Sequence, residues 1–306
     1  MEEVDNVEED AVLPNQHSKD VEDSVKSPLT VRSRNRNNPS LRKGPQYCGA
    51  VHSVGFAEEA NHRFRPTMED AHVVVDEFAG NNRDAFFGVY DGHGGRAAVE
   101  VIEMILHKFL EEELAKTNGE DPAGALARAY LRADKILEEK HFLYVGATAV
   151  TCYIKSYPER RVLFCANVGD SRAVLSRNGK ATRLSYDHKA SDAMEVDRIT
   201  KDGGFIIMKR VNGVLSVSRA LGDHAMKSVV IGEPHVTSEI LTADDKFLIL
   251  ACDGLWDVVE DQEVVNFVQH LHVNGLDVQS ISERLVRLAL DRGSTDNISV
   301  MVIDLS

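Results

Sequence analysis

The 306-residue sequence has no apolar stretch long enough to cross a membrane. Its longest apolar runs have the length of a strand, as in FLILAC at 247–252, whereas a membrane-spanning helix needs about 18 apolar residues. The N-terminus, MEEVD, has neither the basic start nor the apolar core of a secretory signal, and Glu2 stands where N-myristoylation requires glycine. We therefore expect an intracellular protein, cytoplasmic or nuclear, with no membrane partner.

Closely spaced cysteines and an excess of positive charge are also missing. The four cysteines are too far apart for a zinc knuckle, and three lie in apolar runs, which is typical of buried free thiols in a reducing compartment. His270 and His272 form an HxH pair, but no third metal ligand lies near them, so an ordinary helix surface is the better interpretation. With 35 basic against 49 acidic residues and a net charge of −14, the chain is not expected to bind nucleic acid.

The composition changes near residue 45. Residues 1–30 hold nine acidic residues and two lysines, and residues 31–43 are basic. Such a segment buries too little apolar surface to offset its ordering entropy, so residues 1–45 are predicted to be a disordered tail and residues 46–306 one catalytic domain. The basic RSRNR cluster at 32–36 is consistent with a nuclear address, a docking site or a solvated linker.

Hydrophobic periodicity beyond residue 46 predicts an α+β fold. Apolar residues recur at helical spacing over 102–114, 126–137, 262–272 and 278–290, and strand-like runs occupy 145–154, 162–168 and the C-terminus. Asn178-Gly179 and Asn212-Gly213 each lie between apolar runs, which predicts two hairpins and a mostly antiparallel sheet.

Acidic residues stand at the ends of the predicted strands. Asp91 and Asp253 each end an apolar run, and Asp170 follows another after one glycine. Taken singly, each is compatible with an ordinary turn residue. Asp296 and the pair Glu69-Asp70 instead begin strands, so antiparallel pairing is expected to bring all of these carboxylates to one sheet edge. There they would repel one another unless cations lay between them, so we expect bound metal.

The metal type and the reaction follow from the ligand chemistry. All-oxygen ligands favour Mg²⁺ or Mn²⁺, and neither DGHGG nor DGLWD has the alternating ligands of an EF-hand. Two such ions about 3.5–4 Å apart suit phosphoryl transfer, and Arg65 is placed to hold phosphate oxygens. A cysteine-based phosphatase is excluded because no cysteine is followed by arginine at the required spacing: Val258 stands at that place after Cys252.

Six motifs appear in order: RPTMED (65–70), VYDGHGG (89–95), NVGDSRA (167–173), VNGVLSVSRALGD (211–223), ACDGLWD (251–257) and STDNIS (294–299). With them the chain resembles the metal-dependent type 2C family of protein serine/threonine phosphatases over roughly residues 47–306. The resemblance implies a four-layer α-β-β-α sandwich with two mostly antiparallel central sheets. It also implies hydrolysis of phosphoserine and phosphothreonine in proteins by a hydroxide that bridges two metal ions. The expected partners are phosphoprotein substrates, and the expected state is a monomer.

The resemblance also implies a role for each site residue. Asp91 would bridge two ions, and Glu69 and Asp70 would act largely through metal-bound water. Arg65 would hold the substrate phosphate, and His93 would protonate the leaving oxygen. The metal ligands so implied are Asp91, the Gly92 carbonyl, Asp253, Asp296, Glu69 and Asp70, with Asp170 and Asp257 joining Asp253 at a weaker third position.

Two residues depart from the family pattern. Arg63 replaces a common glycine and is a competitor of Arg65 for the phosphate, and Ala190 replaces a common proline in the segment expected to form a substrate-side flap. Two alternative functions also stay open from the sequence. One is a catalytically dead phosphoprotein-binding relative, although no implied metal ligand is missing. The other is a phosphoesterase for small molecules, with the same metal site but a different pocket.

Overall fold

The computed structural model describes residues 30–32 and 46–306. Residues 1–29 and 33–45, most of the predicted tail, lie outside the described residues. In the described part the strands are β1 (Thr30–Arg32), β2 (Gln46–Cys48), β3 (Val51–Glu59), β4 (Ala71–Val75), β5 (Ala85–His93), β6 (Gly146–Ser156), β7 (Arg161–Val168), β8 (Arg172–Arg177), β9 (Lys180–Arg183), β10 (Ile206–Ile207), β11 (Arg210–Val211), β12 (Leu221–Gly222), β13 (His235–Leu241), β14 (Asp245–Ala251) and β15 (Ile298–Asp304). The helices are α1 (Ala97–Lys116), α2 (Pro122–Glu139), α3 (Ala193–Lys201), α4 (Asp253–Trp256), α5 (Asp261–Val273) and α6 (Val278–Asp291).

Local sequence signals start several of these helices. Asp121 precedes α2 and accepts a hydrogen bond from Gly124 N, while Pro122 occupies the first turn, where a missing N–H costs nothing. Asp192 caps α3 and Asp277 caps α6 in the same way. The four long predicted helices are confirmed as α1, α2, α5 and α6.

The strands form two main antiparallel sheets. The first has the order β1-β4-β5-β6-β7-β13, with β12 also pairing with β6, and the second has the order β2-β3-β15-β14-β8-β9. Residues 30–32, within the predicted tail, therefore form the edge strand of the first sheet and pair with β4.

Three apolar clusters show that the sheets and helices are stacked in four layers. One cluster lies between the first sheet and α1 and α2, a second lies between the two sheets, and a third lies between the second sheet and α4, α5 and α6. Because each sheet is covered on both faces, its central strands are buried almost throughout, whereas the edge strands β9 and β13 are partly exposed. The predicted α-β-β-α sandwich is confirmed.

One predicted hairpin is confirmed and the other is partly wrong. Asn178 and Gly179 both have positive φ and join β8 to β9, as a tight two-residue turn requires. Asn212 and Gly213 also form a turn, but it is followed by a single bridge between Val211 and Leu215 and no second strand. The residues after Leu215 instead run along the cleft described below.

Residues 187–232, which we call the flap, lie beside the sandwich and are joined to it by β12, which pairs with β6. The flap contains α3, the β10–β11 hairpin and its own apolar cluster, which includes Ile199, Val217 and Val230. Ala190, the departure from the family pattern, is buried and donates its N–H to Ser216 O at 2.8 Å, a bond that proline cannot make. In the described residues, no helix combines the length and apolarity needed to span a bilayer.

Candidate metal centre and active site

The register of the first sheet makes Asp70 and Asp91 neighbours. β4 and β5 are antiparallel and Ala71 lies opposite Tyr90, so the next residues, Asp70 and Asp91, meet at the end of the sheet. The loop before β4 is fixed by Arg96, whose guanidinium donates to two of its backbone carbonyls at 2.6 and 2.8 Å. Asp70 is thereby held at a defined place although it precedes the strand.

The second sheet supplies the remaining carboxylates. In the β14–β8 pair Ala251 lies opposite Arg172, and two residues further along this register Asp253 comes beside Asp170. Asp296 precedes β15, the neighbour of β14. The expectation of one sheet edge is therefore wrong. The carboxylates come from both sheets and converge at one end of the sandwich, because the two stacked sheets present the same end to the same cleft.

A cleft of about 220 Å³ opens at this end. It is lined by side chains of both sheets and, on one side, by flap residues including Arg210 and Ser216. Of the predicted site residues, those that line the cleft are Arg65, Glu69, Asp91, Gly92, His93, Asp170, Asp253 and Asp296. Asp70 is 1% exposed and lies behind them.

Of Asp70, Asp91 and Asp253, which we call the inner carboxylates, Asp70 is buried and Asp91 and Asp253 are half-buried at the cleft. Burial raises the pKa of Asp70 to about 7. Burial raises the pKa values of Asp91 and Asp253 well above the usual range, and repulsion from neighbouring carboxylates adds to it. Both carboxylate oxygens of Asp70 and Oδ1 of Asp253 have no hydrogen-bond partner. In the described part of the chain, no lysine or arginine forms an ion pair with any of the three.

This donor set fits hard divalent cations. One oxygen each from Asp70 and Asp91 and the sulfur of Cys252 all lie within 4.8 Å of one another. Burial, followed by the nearby aspartates, raises the pKa of the Cys252 thiol, and the thiol donates to Asn297 O, so it stays protonated and is not a ligand. The carboxylate oxygens are therefore the available ligands, and oxygen ligands suit Mg²⁺ or Mn²⁺.

Arg65 lies in the cleft and forms an ion pair with Asp296. Its side chain is half exposed, so the guanidinium can move from this carboxylate to an incoming phosphate. Arg63, its competitor in the sequence, instead stacks over the ring of Phe64 at 5.2 Å and does not line the cleft. Of these two arginines, Arg65 is therefore the one that lines the cleft.

Glu69 is oriented by a hydrogen-bond framework centred on Asn297. Asn297 Oδ1 accepts from Glu69 N at 2.9 Å, and its Nδ2 donates to Ala60 O and Thr67 O at 2.7 and 3.0 Å. The Glu69 carboxylate accepts from Thr67 Oγ1 and Gly95 N. Asn297 thus ties the loop that carries Glu69 and Asp70 to the start of β15.

His93, the last residue of β5, contacts a carboxylate that is remote in sequence. Its Nε2 lies 2.7 Å from Oδ2 of Asp223, which is in the flap. The Asp223 side chain is 1% exposed and that of His93 is 26% exposed. The pair therefore extends from the cleft into the interior.

Asp170 and Asp257, which we call the outer carboxylates, share a lysine. Nζ of Lys189 lies 2.7 Å from Asp257 Oδ1 and 3.6 Å from Asp170 Oδ2. Burial raises the pKa of Asp170 to about 6, and the charge of Lys189 opposes that rise. The predicted third metal position is therefore already in contact with a protein cation.

Comparisons with known proteins agree with this geometry. A profile described as "Protein phosphatase 2C" matches residues 54–298. The chain belongs to the protein phosphatase 2C family. Its fold and its order of motifs are those that the resemblance implied, so that interpretation is confirmed.

Two yeast members of the protein phosphatase 2C family are similar over most of the chain. Protein phosphatase 2C homolog 1 of Saccharomyces cerevisiae is 41% identical over 268 residues, which cover 83% of this chain and 94% of the yeast protein. The protein of the same name from Schizosaccharomyces pombe is 43% identical over 257 residues, covering 83% and 73%. This chain is thus a protein serine/threonine phosphatase, in a family that is metal-dependent in general.

Two solved structures share the fold. A serine-threonine phosphatase 2C from Toxoplasma gondii superposes with a TM-score of 0.76 at 22% identity, covering 92% of this chain and 100% of that one. A Caenorhabditis elegans sex determining protein superposes with a TM-score of 0.75 at 27% identity, covering 84% of this chain and 65% of that one.

Sequence reasoning assigned no role to Asn297, Lys189 and Asp223. Asn297 and Asp223 lie inside motifs that were recognised, STDNIS and SRALGD, and an unassigned polar residue in a motif was the available signal. Lys189 gave no such signal, because its partners, Asp170 and Asp257, are 19 residues before it and 68 after it.

Proposed function

We propose that this protein phosphatase 2C member hydrolyses phosphoserine and phosphothreonine in proteins with two divalent cations, Mg²⁺ or Mn²⁺, held at the inner carboxylates. The ligands we assign are Asp91, the Gly92 carbonyl, Asp253 and Asp296, with Glu69 and Asp70 acting through water. The observation that carries the proposal is the grouping of Asp70, Asp91 and Asp253 with raised pKa values. Asp70 and Asp253 have buried oxygens without a hydrogen-bond partner, and no lysine or arginine among the described residues forms an ion pair with any of the three. Three such groups ionise together only beside external positive charge.

The bound cations would supply hydroxide at neutral pH and offset the charge of the phosphate. Arg65, which lines the cleft, would exchange Asp296 for two phosphate oxygens, since a guanidinium matches their spacing. His93 lines the same cleft and would give a proton to the departing serine or threonine oxygen. The flap residues Arg210 and Ser216 close one side of the cleft and so face the polypeptide that carries the phosphate.

Phosphate release from a phosphothreonine peptide tests this proposal. We expect exhaustive chelation to abolish turnover and Mn²⁺ or Mg²⁺ to restore it, with calorimetry reporting metal binding independently of activity. Sugar phosphates offered at the same concentration should be poor substrates. Peptide hydrolysis that survives chelation would refute the metal assignment, and a preference for sugar phosphates would favour the small-molecule alternative. Metal binding without any hydrolysis would identify the catalytically dead alternative.

A further inference from the structure

The SRALGD motif ends in Asp223, a buried residue for which the proposed function has no use. Oδ2 of Asp223 lies 2.7 Å from His93 Nε2, and Oδ1 has no hydrogen-bond partner. A buried carboxylate with a single partner is costly, because the desolvation penalty is offset by one bond only. A purely structural carboxylate would be expected to accept several hydrogen bonds, so this arrangement points to a role directed at His93.

The backbone around Asp223 is arranged to deliver its side chain to that place. Asp223 itself has φ of +53°, a conformation that side-chain-bearing residues seldom adopt. Its N–H donates to Val145 O at 3.1 Å, and its carbonyl accepts from Met226 N at 2.8 Å. The strained residue is therefore held from both sides.

Gly146 provides the space for the contact. A Cβ atom at this position would lie 2.1 Å from Oδ2 of Asp223 and 2.7 Å from Nε2 of His93. Any larger residue would therefore force the pair apart. A glycine at the start of β6, opposite His93 in the sheet, is thus required by the histidine–carboxylate contact itself.

We propose that Asp223 is a positioning residue that fixes the orientation of the His93 ring and assigns the proton transfer to Nδ1. The inference rests on the proposed function, in which His93 is the general acid. Because Nε2 is committed to Asp223, Nδ1 is the ring nitrogen left for the substrate. A buried carboxylate holding an imidazole by one nitrogen while the other transfers the proton is a general arrangement for acid–base histidines.

Hydroxide forms a bond to phosphorus as the bond between phosphorus and the serine or threonine oxygen breaks. The electron pair of the broken bond stays on the leaving oxygen, which takes the Nδ1 proton of the imidazolium. His93 is then neutral, keeps its Nε2 proton against Asp223 and regains the Nδ1 proton from solvent. Without Asp223 the ring is free to rotate or to carry its remaining proton on the wrong nitrogen.

The test compares two substrates that differ in their need for a proton. An alkoxide leaving group depends on the acid far more than nitrophenolate does. We expect Asp223→Asn to slow hydrolysis of a phosphoserine peptide by about 10-fold or more and to slow p-nitrophenyl phosphate by less than about threefold. The effect should be in kcat, with KM and the Mn²⁺ affinity measured by calorimetry unchanged. The ratio of the two rates does not depend on the folded fraction, so partial unfolding cannot imitate this result.

Asp134→Asn is the matched control. Asp134 anchors the same segment, since it accepts from Gly222 N at 2.8 Å and from Lys227 Nζ at 2.9 Å, but it has no contact with His93. This variant should lower the melting temperature without changing the ratio of the two substrates. The double variant His93→Ala/Asp223→Asn should be no slower on the phosphopeptide than His93→Ala alone, because Asp223 acts only through the ring.

A spectroscopic readout is independent of turnover. Long-range ¹H–¹⁵N spectra of the metal-loaded enzyme, with His93 assigned by its loss in His93→Ala, should show Nε2 protonated in the neutral ring, and Asp223→Asn should mix the tautomers.

An equal slowing of both substrates, additive losses in the double variant, or an unchanged tautomer would overturn the role of Asp223 while the proposed function stands. A wild-type enzyme inactive on phosphopeptide at saturating Mn²⁺ would overturn the proposed function and the role of Asp223 with it.

Discussion

The inner carboxylates and the outer carboxylates lie at the same end of the sandwich, yet they differ in whether a side chain of the protein neutralises their charge. The inner group, Asp70, Asp91 and Asp253, has no cationic partner in the described chain, and burial raises its pKa values. The outer group, Asp170 and Asp257, holds the ammonium of Lys189 between its two members. We therefore expect the inner group to take cations from solution, whereas Lys189 already neutralises part of the charge of the outer group.

This difference predicts that divalent cations bind more tightly at the inner carboxylates than at the outer carboxylates. A divalent cation that reaches the inner group relieves repulsion between buried charges, so its binding is strengthened by the fold. A cation that reaches the outer group must first displace Lys189, so its binding is weakened by the fold. The same reasoning predicts that an ion at the outer group would be held less firmly than ions at the inner group.

The largest expected effect is that of Asp91→Asn. This change removes a charge that both bound cations would share, and metal-assisted charge stabilisation contributes several kcal/mol to the rate. We expect turnover of a phosphopeptide to fall by about 10³-fold or more, together with a clear loss of Mn²⁺ affinity measured by calorimetry. Asp170→Asn serves as the comparison and should affect only the weakest binding event. Identical metal titrations for the two variants would remove the distinction between inner and outer groups.

Glu195 tests whether arginine partners reverse the direction of the pKa shift that burial alone causes in a carboxylate. It is buried like Asp70, but hydrogen bonds from Arg219 and Arg198 outweigh its desolvation and lower its pKa to about 2. A lowered carboxyl pKa stabilises the fold above the unfolded value near 4.5, and that contribution is lost as the pH falls toward about 2. Glu195→Gln should therefore cost about 3 kcal/mol of unfolding free energy at pH 7 and less near pH 3, measured by urea denaturation. A cost that is the same at both pH values would contradict the ion-pair account.

Lys189→Met tests whether the lysine weakens cation binding at the outer carboxylates. Removing the ammonium leaves Asp170 and Asp257 with no cation, as in the inner group, so the weakest Mn²⁺ binding event should tighten by about 10-fold. Lys201→Met is the control, because Lys201 pairs with Asp197 on the exposed face of α3. It should leave every binding event unchanged. Weaker binding in Lys189→Met would show that the lysine supports the outer site and does not compete for it.

Asp70→Asn gives the smallest expected effect, but its sign is informative. In chelator the substitution removes a buried charge that has no hydrogen-bond partner, so it should raise the melting temperature by about 2–4 °C, the shift that about 1 kcal/mol produces in a domain of this size. In Mn²⁺ the wild type should gain the larger stabilisation and reverse the order. A variant that is less stable than the wild type in chelator would show that Asp70 is already satisfied without metal.

Much of the secondary structure, and the family, could be predicted from residues that are close together in the sequence. Helical periodicity located α1, α2, α5 and α6, the Asn178-Gly179 pair located a hairpin, and six ordered motifs indicated the family before any coordinates. The choice of carboxylates as candidate metal ligands also came from the sequence, because ligand chemistry belongs to individual side chains. These features depend on local spacing and composition, so a single sequence is enough to determine them.

Contacts between distant residues were decided only by the tertiary structure. The sequence suggested one sheet edge for the carboxylates, whereas the packing of two sheets brings them together from both. Lys189 reaches Asp257 across 68 residues, and Asp223 reaches His93 across 130. Such pairs leave no periodic signal, since their proximity depends on strand register and on how the flap packs against the sandwich. The sequence by itself therefore determined the local elements, the family and a set of candidate residues, and the fold decided which of those residues lie together and which further residues contact them.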